Sequence, residues 1–191
     1  STEFSTFFSS SSAQTTLINN LVNSVVAANA KGINIDFEGS GLGTTYRSQF
    51  TSFMSSLSLQ LHAAIPGSQL SIDLQGSYSG NAGLTNGLNS YVDLFILMGY
   101  DYYWGSQFYP GPVAPTYQFP AGTGDPYGHG NVSNDLNNLI KNIGTTKTIL
   151  AMPYYGRRWR TTNGCLIPAT GSAASISTQT YAQFRQNANG Y

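Results

Sequence analysis

The run Gly32-Ile33-Asn34-Ile35-Asp36-Phe37-Glu38 alternates apolar and polar residues without a break. In an extended strand, alternate side chains point to opposite faces. Ile33, Ile35 and Phe37 therefore share one face, and Asn34, Asp36 and Glu38 share the other. The two carboxylates then sit about 6–7 Å apart along the strand. Segments of helical period flank this run. Leu17, Ile18, Leu21, Val22, Val25 and Val26 predict an amphipathic helix over 13–30. Tyr46, Phe50, Phe53, Met54, Leu57 and Leu61 predict a second helix, closed near Pro66-Gly67.

The same pattern continues along the chain. Residues 70–74 read as a short strand. Residues 92–102, with the apolar run Leu94-Phe95-Ile96-Leu97-Met98, read as a buried strand of the parallel type. A long loop rich in Pro, Gly and aromatics follows over 103–130. Val132, Leu136, Leu139, Ile140 and Ile143 predict a third helix ending at Gly144, and 148–154 a fourth strand. From Thr161 on, the tail reads mostly as loop, with a short helix near 180–186. Alternation of helix and strand implies an α/β fold of parallel strands with crossover helices. An open doubly wound sheet and part of a (β/α)8 barrel both satisfy it. In either, chemistry sits at the carboxyl ends of the strands, where this acid pair lies.

Composition narrows the function classes. Only 8% of the 191 residues are charged, and the formal net charge is zero. Phosphate binding needs a basic surface, so nucleic acid is not the expected partner. A polybasic membrane patch is equally absent, and no apolar run is long enough to span a bilayer. Ser, Thr, Asn, Gly and Tyr supply the polar surface, a bias that accompanies secreted proteins handling polysaccharide. The single cysteine, Cys165, rules out an internal disulfide and a thiolate metal cluster.

A carboxylate at a strand end commonly caps the next helix or is simply solvated. Here three polar residues share one face, and Glu38 is one of only two Glu in the chain. That grouping favours catalysis. A carboxyl beside another carboxylate, partly desolvated, has its pKa raised and can donate a proton near neutral pH. The segment Leu97 to Trp104 brings Tyr100 and Asp101 to a second strand end. Aromatic packing accounts for some of it, but an unpaired buried acid is costly, so Asp101 resists that reading. Gly39, Gly41 and Gly43 suggest a flexible turn. A dinucleotide loop needs its third Gly one position later, where Thr44 stands, and the acids would repel a phosphate. His62 and His129 have no ligand-spaced companions, so no metal and no cofactor are expected.

Three segments together resemble glycoside hydrolase family 18, the chitinase family. Gly32 to Glu38 is similar to its Asp-Gly-x-Asp-x-Asp-x-Glu strand. Met98-Gly99-Tyr100-Asp101 is similar to its Met-x-Tyr-Asp strand end, and Met152-Pro153-Tyr154-Tyr155-Gly156-Arg157 to its Pro-Tyr/Phe-Tyr-Gly-Arg strand end. Their order matches strands four, six and seven of the family's (β/α)8 TIM barrel. The resemblance implies hydrolysis of β-1,4-linked N-acetylglucosamine polymers with retention, the substrate's own acetamido carbonyl acting as nucleophile. Glu38 would be the general acid. Asp36 would orient the acetamido group and stabilise the oxazolinium charge, and Tyr100 would hydrogen-bond the same group. Asn34, Met98, Asp101, Tyr102, Trp104, Tyr155 and Arg157 would bind substrate, with Tyr102, Tyr103 and Trp104 offering rings to sugar faces.

The chain also departs from the family pattern. The family's first two Asp positions fall on Lys31 and Asn34. An Asp at position 34 would be a like-charged neighbour for Asp36, so Asn there implies an altered pH dependence or a reduced rate. A complete barrel needs about 250 residues. The expected organisation is therefore a partial catalytic barrel over 1–160, with 161–191 starting an insertion between strands seven and eight. Missing strands or a second copy would cover the exposed strand edges. The expected protein is secreted. Its alternatives are an endo-β-N-acetylglucosaminidase on glycans or peptidoglycan, and a non-catalytic chitin lectin.

Overall fold

The computed structural model describes residues 2–39, 41–104, 111–118, 130–159 and 177–188. The architecture is α/β, with parallel strands joined through helices. Two compact units divide the chain: residues 1–97 with 137–149, and residues 98–136 with 150–191.

The first unit opens with α1 (Thr2–Phe8) and α2 (Ser11–Ala27). Ser10 caps α2, its hydroxyl accepting from the Ala13 N–H at 3.2 Å. Ile18, Val22 and Val25 are the buried stripe of that helix. The strand β1 (Gly32–Ile35) follows, then α3 (Arg47–Ala64) and β2 (Gln69–Gln75). On α3, Phe50, Phe53, Met54, Leu57 and Leu61 are all sealed from solvent, as their spacing predicts. The helix stops where Pro66 cannot continue it and Gly67 turns the chain at φ +79°. Two short helices, α4 (Gly76–Ser79) and α5 (Ala82–Leu88), lead to β3 (Leu94–Met98). Then come α6 (Val132–Ile143) and β4 (Thr148–Ala151), giving one sheet of order β1-β2-β3-β4.

β1 and β2 run parallel, pairing Gly32 with Gln69, Ile33 with Leu70, Asn34 with Ser71 and Ile35 with Ile72. Leu70, Ile72 and Leu74 face the core, so Ser71, Asp73 and Gln75 share the other face of β2. Gly32 sets this register sterically: a Cβ there would stand 2.2 Å from the Gln69 carbonyl oxygen. Gly32→Ala is expected to lower stability by about 1–3 kcal/mol, the usual scale of an overpacked site, checked by thermal unfolding. His62, placed beside core residues, bridges Ser58 on its own helix (3.3 Å) and Asp93 (3.1 Å). Asp93 also accepts from the Leu70 N–H at 2.7 Å, so this chain of contacts ties α3 to the sheet.

In the second unit, Tyr102, Tyr103 and Val132 form a small core with Ala114, Leu150 and Trp159 packed against it. The strand β5 (Tyr155–Arg158) pairs antiparallel with β6 (Ser177–Thr180), and α7 (Tyr181–Ala188) follows.

The structure differs from the sequence expectation in definite places. The strand expected over 148–154 ends at Ala151, and three residues that include Pro153, which has no N–H to give a ladder, separate it from β5, which begins beyond the expected range. The strands expected over 32–38 and 92–102 are shorter, ending at Ile35 and Met98. The tail contains β6 as well as the expected helix. The helices α1, α4 and α5 are each too short to show a period in sequence. His129 and Cys165 lie outside the described residues. Among those described, no helix is long and apolar enough to cross a membrane.

Candidate active site

Asp36, Phe37 and Glu38 follow directly on the last residue of β1. The alternation persists beyond the hydrogen-bonded strand because Phe37 is gripped on the core side. Its ring stacks on Phe50 at 5.8 Å and Phe53 at 5.7 Å, with Phe4 at 6.0 Å and the edge of Phe7 at 6.1 Å. Aromatic pairs in this distance range add to the area they bury. With Phe37 held inward, Asp36 and Glu38 are turned outward, and both are open to solvent.

The neighbouring strand supplies partners that the sequence reading did not identify. Gln75 Nε2 donates to Glu38 Oε2 at 3.1 Å. Asn34 Nδ2 donates to Asp73 Oδ2 at 3.0 Å. The alternation Leu70-Ser71-Ile72-Asp73-Leu74-Gln75 carried the signal, since it places three polar residues on one face of β2. Partial burial, then the charge of Glu38, then that of Asp73, push the Asp36 carboxyl above the ordinary carboxylate range. A carboxyl whose folded-state pKa is raised binds more protons folded than unfolded, so its ionisation costs stability as pH rises through that window. Asp36→Asn is therefore expected to unfold at higher temperature than the parent at neutral pH. The gain should vanish below about pH 4, where both states are protonated; paired melting curves check it.

The Gly-rich segment after Glu38 is a turn, and it is fastened. Tyr78 donates its hydroxyl to the Gly39 carbonyl, and Asn81 Nδ2 donates to the Gly43 carbonyl at 2.8 Å. Gly39 and Gly41 have φ of +155° and +97°, in the region side chains avoid. A Cβ on Gly43 would meet Asn81 Nδ2 at 2.5 Å.

In the second unit, Tyr100, Asp101, Tyr155 and Arg157 come together. Arg157 Nη2 pairs with Asp101 Oδ1 at 2.6 Å, and its Nη1 donates to Thr178 Oγ1 at 3.0 Å. The Tyr100 and Tyr155 rings meet edge-on at 6.3 Å, and the Arg157 guanidinium lies 5.8 Å from the Tyr155 ring centre. Burial and a hydrogen bond to Asp101 hold the Tyr155 hydroxyl protonated well beyond its usual range. Asp101 has φ +56°, a left-handed conformation that acidic side chains tolerate better than most. Met98 is buried at the end of β3.

Two of the expected sugar-stacking aromatics are corrected here. Tyr102 and Tyr103 are 9% and 2% exposed and belong to the core of this unit. Tyr102 also donates its hydroxyl to Asp135 Oδ2 at 2.7 Å. Neither offers a free ring face. Aromatic packing won because the chain turns directly after Asp101. Trp104 remains, 46% exposed.

A family model described as glycosyl hydrolases family 18 matches residues 1–189. The chain belongs to that family. YdhD of Bacillus subtilis (strain 168) is 28% identical over 153 residues, which are 77% of this chain and 32% of that protein. An immunomodulatory active chitinase from Trichuris suis superposes with a TM-score of 0.82 at 14% identity, over 98% of this chain and 55% of the other. A catalytic domain of an Ostrinia furnacalis group II chitinase, solved in complex with (NAG)5, gives a TM-score of 0.81 at 18% identity, over 100% and 54%. The family 18 chain thus spans about a third of its curated relative, at 32%, and about half of these solved chains, at 55% and 54%. The strand arrangement described above is therefore that of a (β/α)8 barrel, present in part.

Proposed function

We propose that the protein hydrolyses β-1,4-linked N-acetylglucosamine polymers with retention at the anomeric carbon. The observation that carries this reading is the pair Asp36 and Glu38, turned outward by Phe37 at the carboxyl end of β1 in a family 18 chain. Glu38 protonates the glycosidic oxygen. The substrate's acetamido carbonyl attacks the anomeric carbon, forming an oxazolinium ion that water then opens. Asp36 accepts the acetamido N–H and faces the developing positive charge. The charge of Glu38 is one of the causes that hold the Asp36 carboxyl above its ordinary range.

Tyr100 hydrogen-bonds the acetamido group, and Asp101 with Arg157 forms part of the sugar-binding floor. Asn34 and Tyr155 belong to the substrate-binding set, Met98, at 8% exposure, is too buried to touch a sugar, and the exposed Trp104 ring stacks on a sugar face. Within this reading, residues 1–160 belong to the catalytic barrel, 161–191 begin an insertion before its eighth strand, and the protein acts outside the cell on an insoluble or oligomeric glycan. Proton NMR of the first product formed from chitohexaose tests the stereochemistry. The β-anomer should accumulate first; initial release of the α-anomer would exclude acetamido participation.

A further inference from the structure

The proposed chemistry leaves one carboxylate of this face unassigned. The parallel register pairs Asn34 with Ser71 and Ile35 with Ile72. Continued one step past the paired residues, that register sets Asp36 opposite Asp73, whose charge acts on it. Asp73 is half-buried, and its Oδ2 accepts the Asn34 amide at 3.0 Å. The Asn34 side chain thereby fastens the Asp73 carboxylate against the polar edge of β1. Among the described residues, no Lys or Arg is paired with Asp36, Glu38 or Asp73. The charged groups acting on Asp36 are Glu38 from its own segment and Asp73 from β2.

We propose that Asp73 is a positioning residue for the proposed hydrolysis: held by Asn34, it supplies from the adjacent strand the negative charge beside Asp36 that an acid at position 34 would otherwise supply. Its influence on the reaction runs through Asp36. A second carboxylate beside Asp36 favours the protonated form of Asp36, and so sets the charge that Asp36 presents to the acetamido group. The electrostatic consequence has the expected sign, since Asp73 raises the Asp36 pKa. The role in hydrolysis rests on the function proposed above; the coupling of Asp73 to Asp36 does not.

The test is a carbon-13 NMR titration of the Asp36 carboxyl in the parent, in Asp73→Asn, and in the exchange Asn34→Asp/Asp73→Asn. Asp73→Asn keeps an oxygen for the Asn34 amide and removes only the charge. The Asp36 midpoint should fall in the single variant and return towards the parent in the exchange. An unchanged midpoint in Asp73→Asn overturns the proposal. Should that variant lose its fold, Asn34→Ala decides the matter by unfastening Asp73 without altering its charge: the midpoint falls if the proposal holds, and stays put if it does not. Chitooligosaccharide hydrolysis is measured alongside. Asp73→Asn should lose about 10-fold in kcat with KM little changed, the rate equivalent of one charged hydrogen bond. The pH–rate limb governed by Asp36 should move towards lower pH. A parent without hydrolytic activity on these oligosaccharides would sink the proposed function while the titration still judges Asp73.

Discussion

Glu38→Gln is expected to lower the hydrolysis of chitooligosaccharides by at least ~10²-fold while leaving their binding close to the parental level. The substitution removes the transferable proton and little else. Gln75 donates to Glu38 at 3.1 Å, and an amide oxygen at position 38 can accept the same bond. Phe37 continues to hold the segment against Phe50 and Phe53. The ground-state complex therefore survives, whereas the leaving oxygen must depart without a proton from the protein. Loss of kcat without a matching rise in KM is the signature of an interaction made only in the transition state. Reducing-end release gives the rate, and titration calorimetry gives the affinity. Hydrolysis at the parental rate would remove Glu38 from the reaction.

Much of this arrangement was legible in the chain because two periods dominate it. Period 2 over Gly32 to Glu38 fixed which residues share the outward face, and it remained right past Ile35, where the strand's hydrogen bonds end. The helical period of α3 named its five buried apolar residues, though it missed the buried Ser58 and included Tyr46, which precedes the helix. What stayed illegible depends on contacts between segments. Asp73 sits on a strand read only as short, over 70–74, and Gln75 lies just past that range; their relation to Asn34 and Glu38 is set by a register that no local pattern states. Tyr102 and Tyr103 show a different limit. An aromatic run after a strand end is compatible with a sugar platform and with core packing, and only the turn after Asp101 directs both rings inward. The fastening of the Gly-rich turn by Tyr78 and Asn81 was hidden for the same reason, since these partners lie about forty positions away, at separations of 39 and 38 residues.

Phe37→Ala is the substitution in which stability and chemistry should fail together. The ring is partly buried and lies among Phe4, Phe7, Phe50 and Phe53. Removing it forfeits the transfer free energy of the ring and leaves a void among aromatic neighbours that cannot readily collapse. A loss of about 3 kcal/mol is expected, at the lower end of Phe-to-Ala costs because Phe37 is not fully enclosed. The same ring fixes the direction of the two acids, because residues on either side of an anchored position in an extended segment are forced to the opposite face. Without that anchor, Asp36 and Glu38 can swing, and a displacement of about 1 Å is enough to cost ~10²-fold in rate. Phe37→Leu separates the two effects by restoring most of the buried volume without the ring stacking, so it should recover stability more fully than kcat. Thermal unfolding and single-turnover hydrolysis on both variants check this. If Phe37→Ala melts early yet hydrolyses normally at low temperature, the acids are held by Gln75 and by the Asn34–Asp73 pair, and the aromatic anchor matters only to the core.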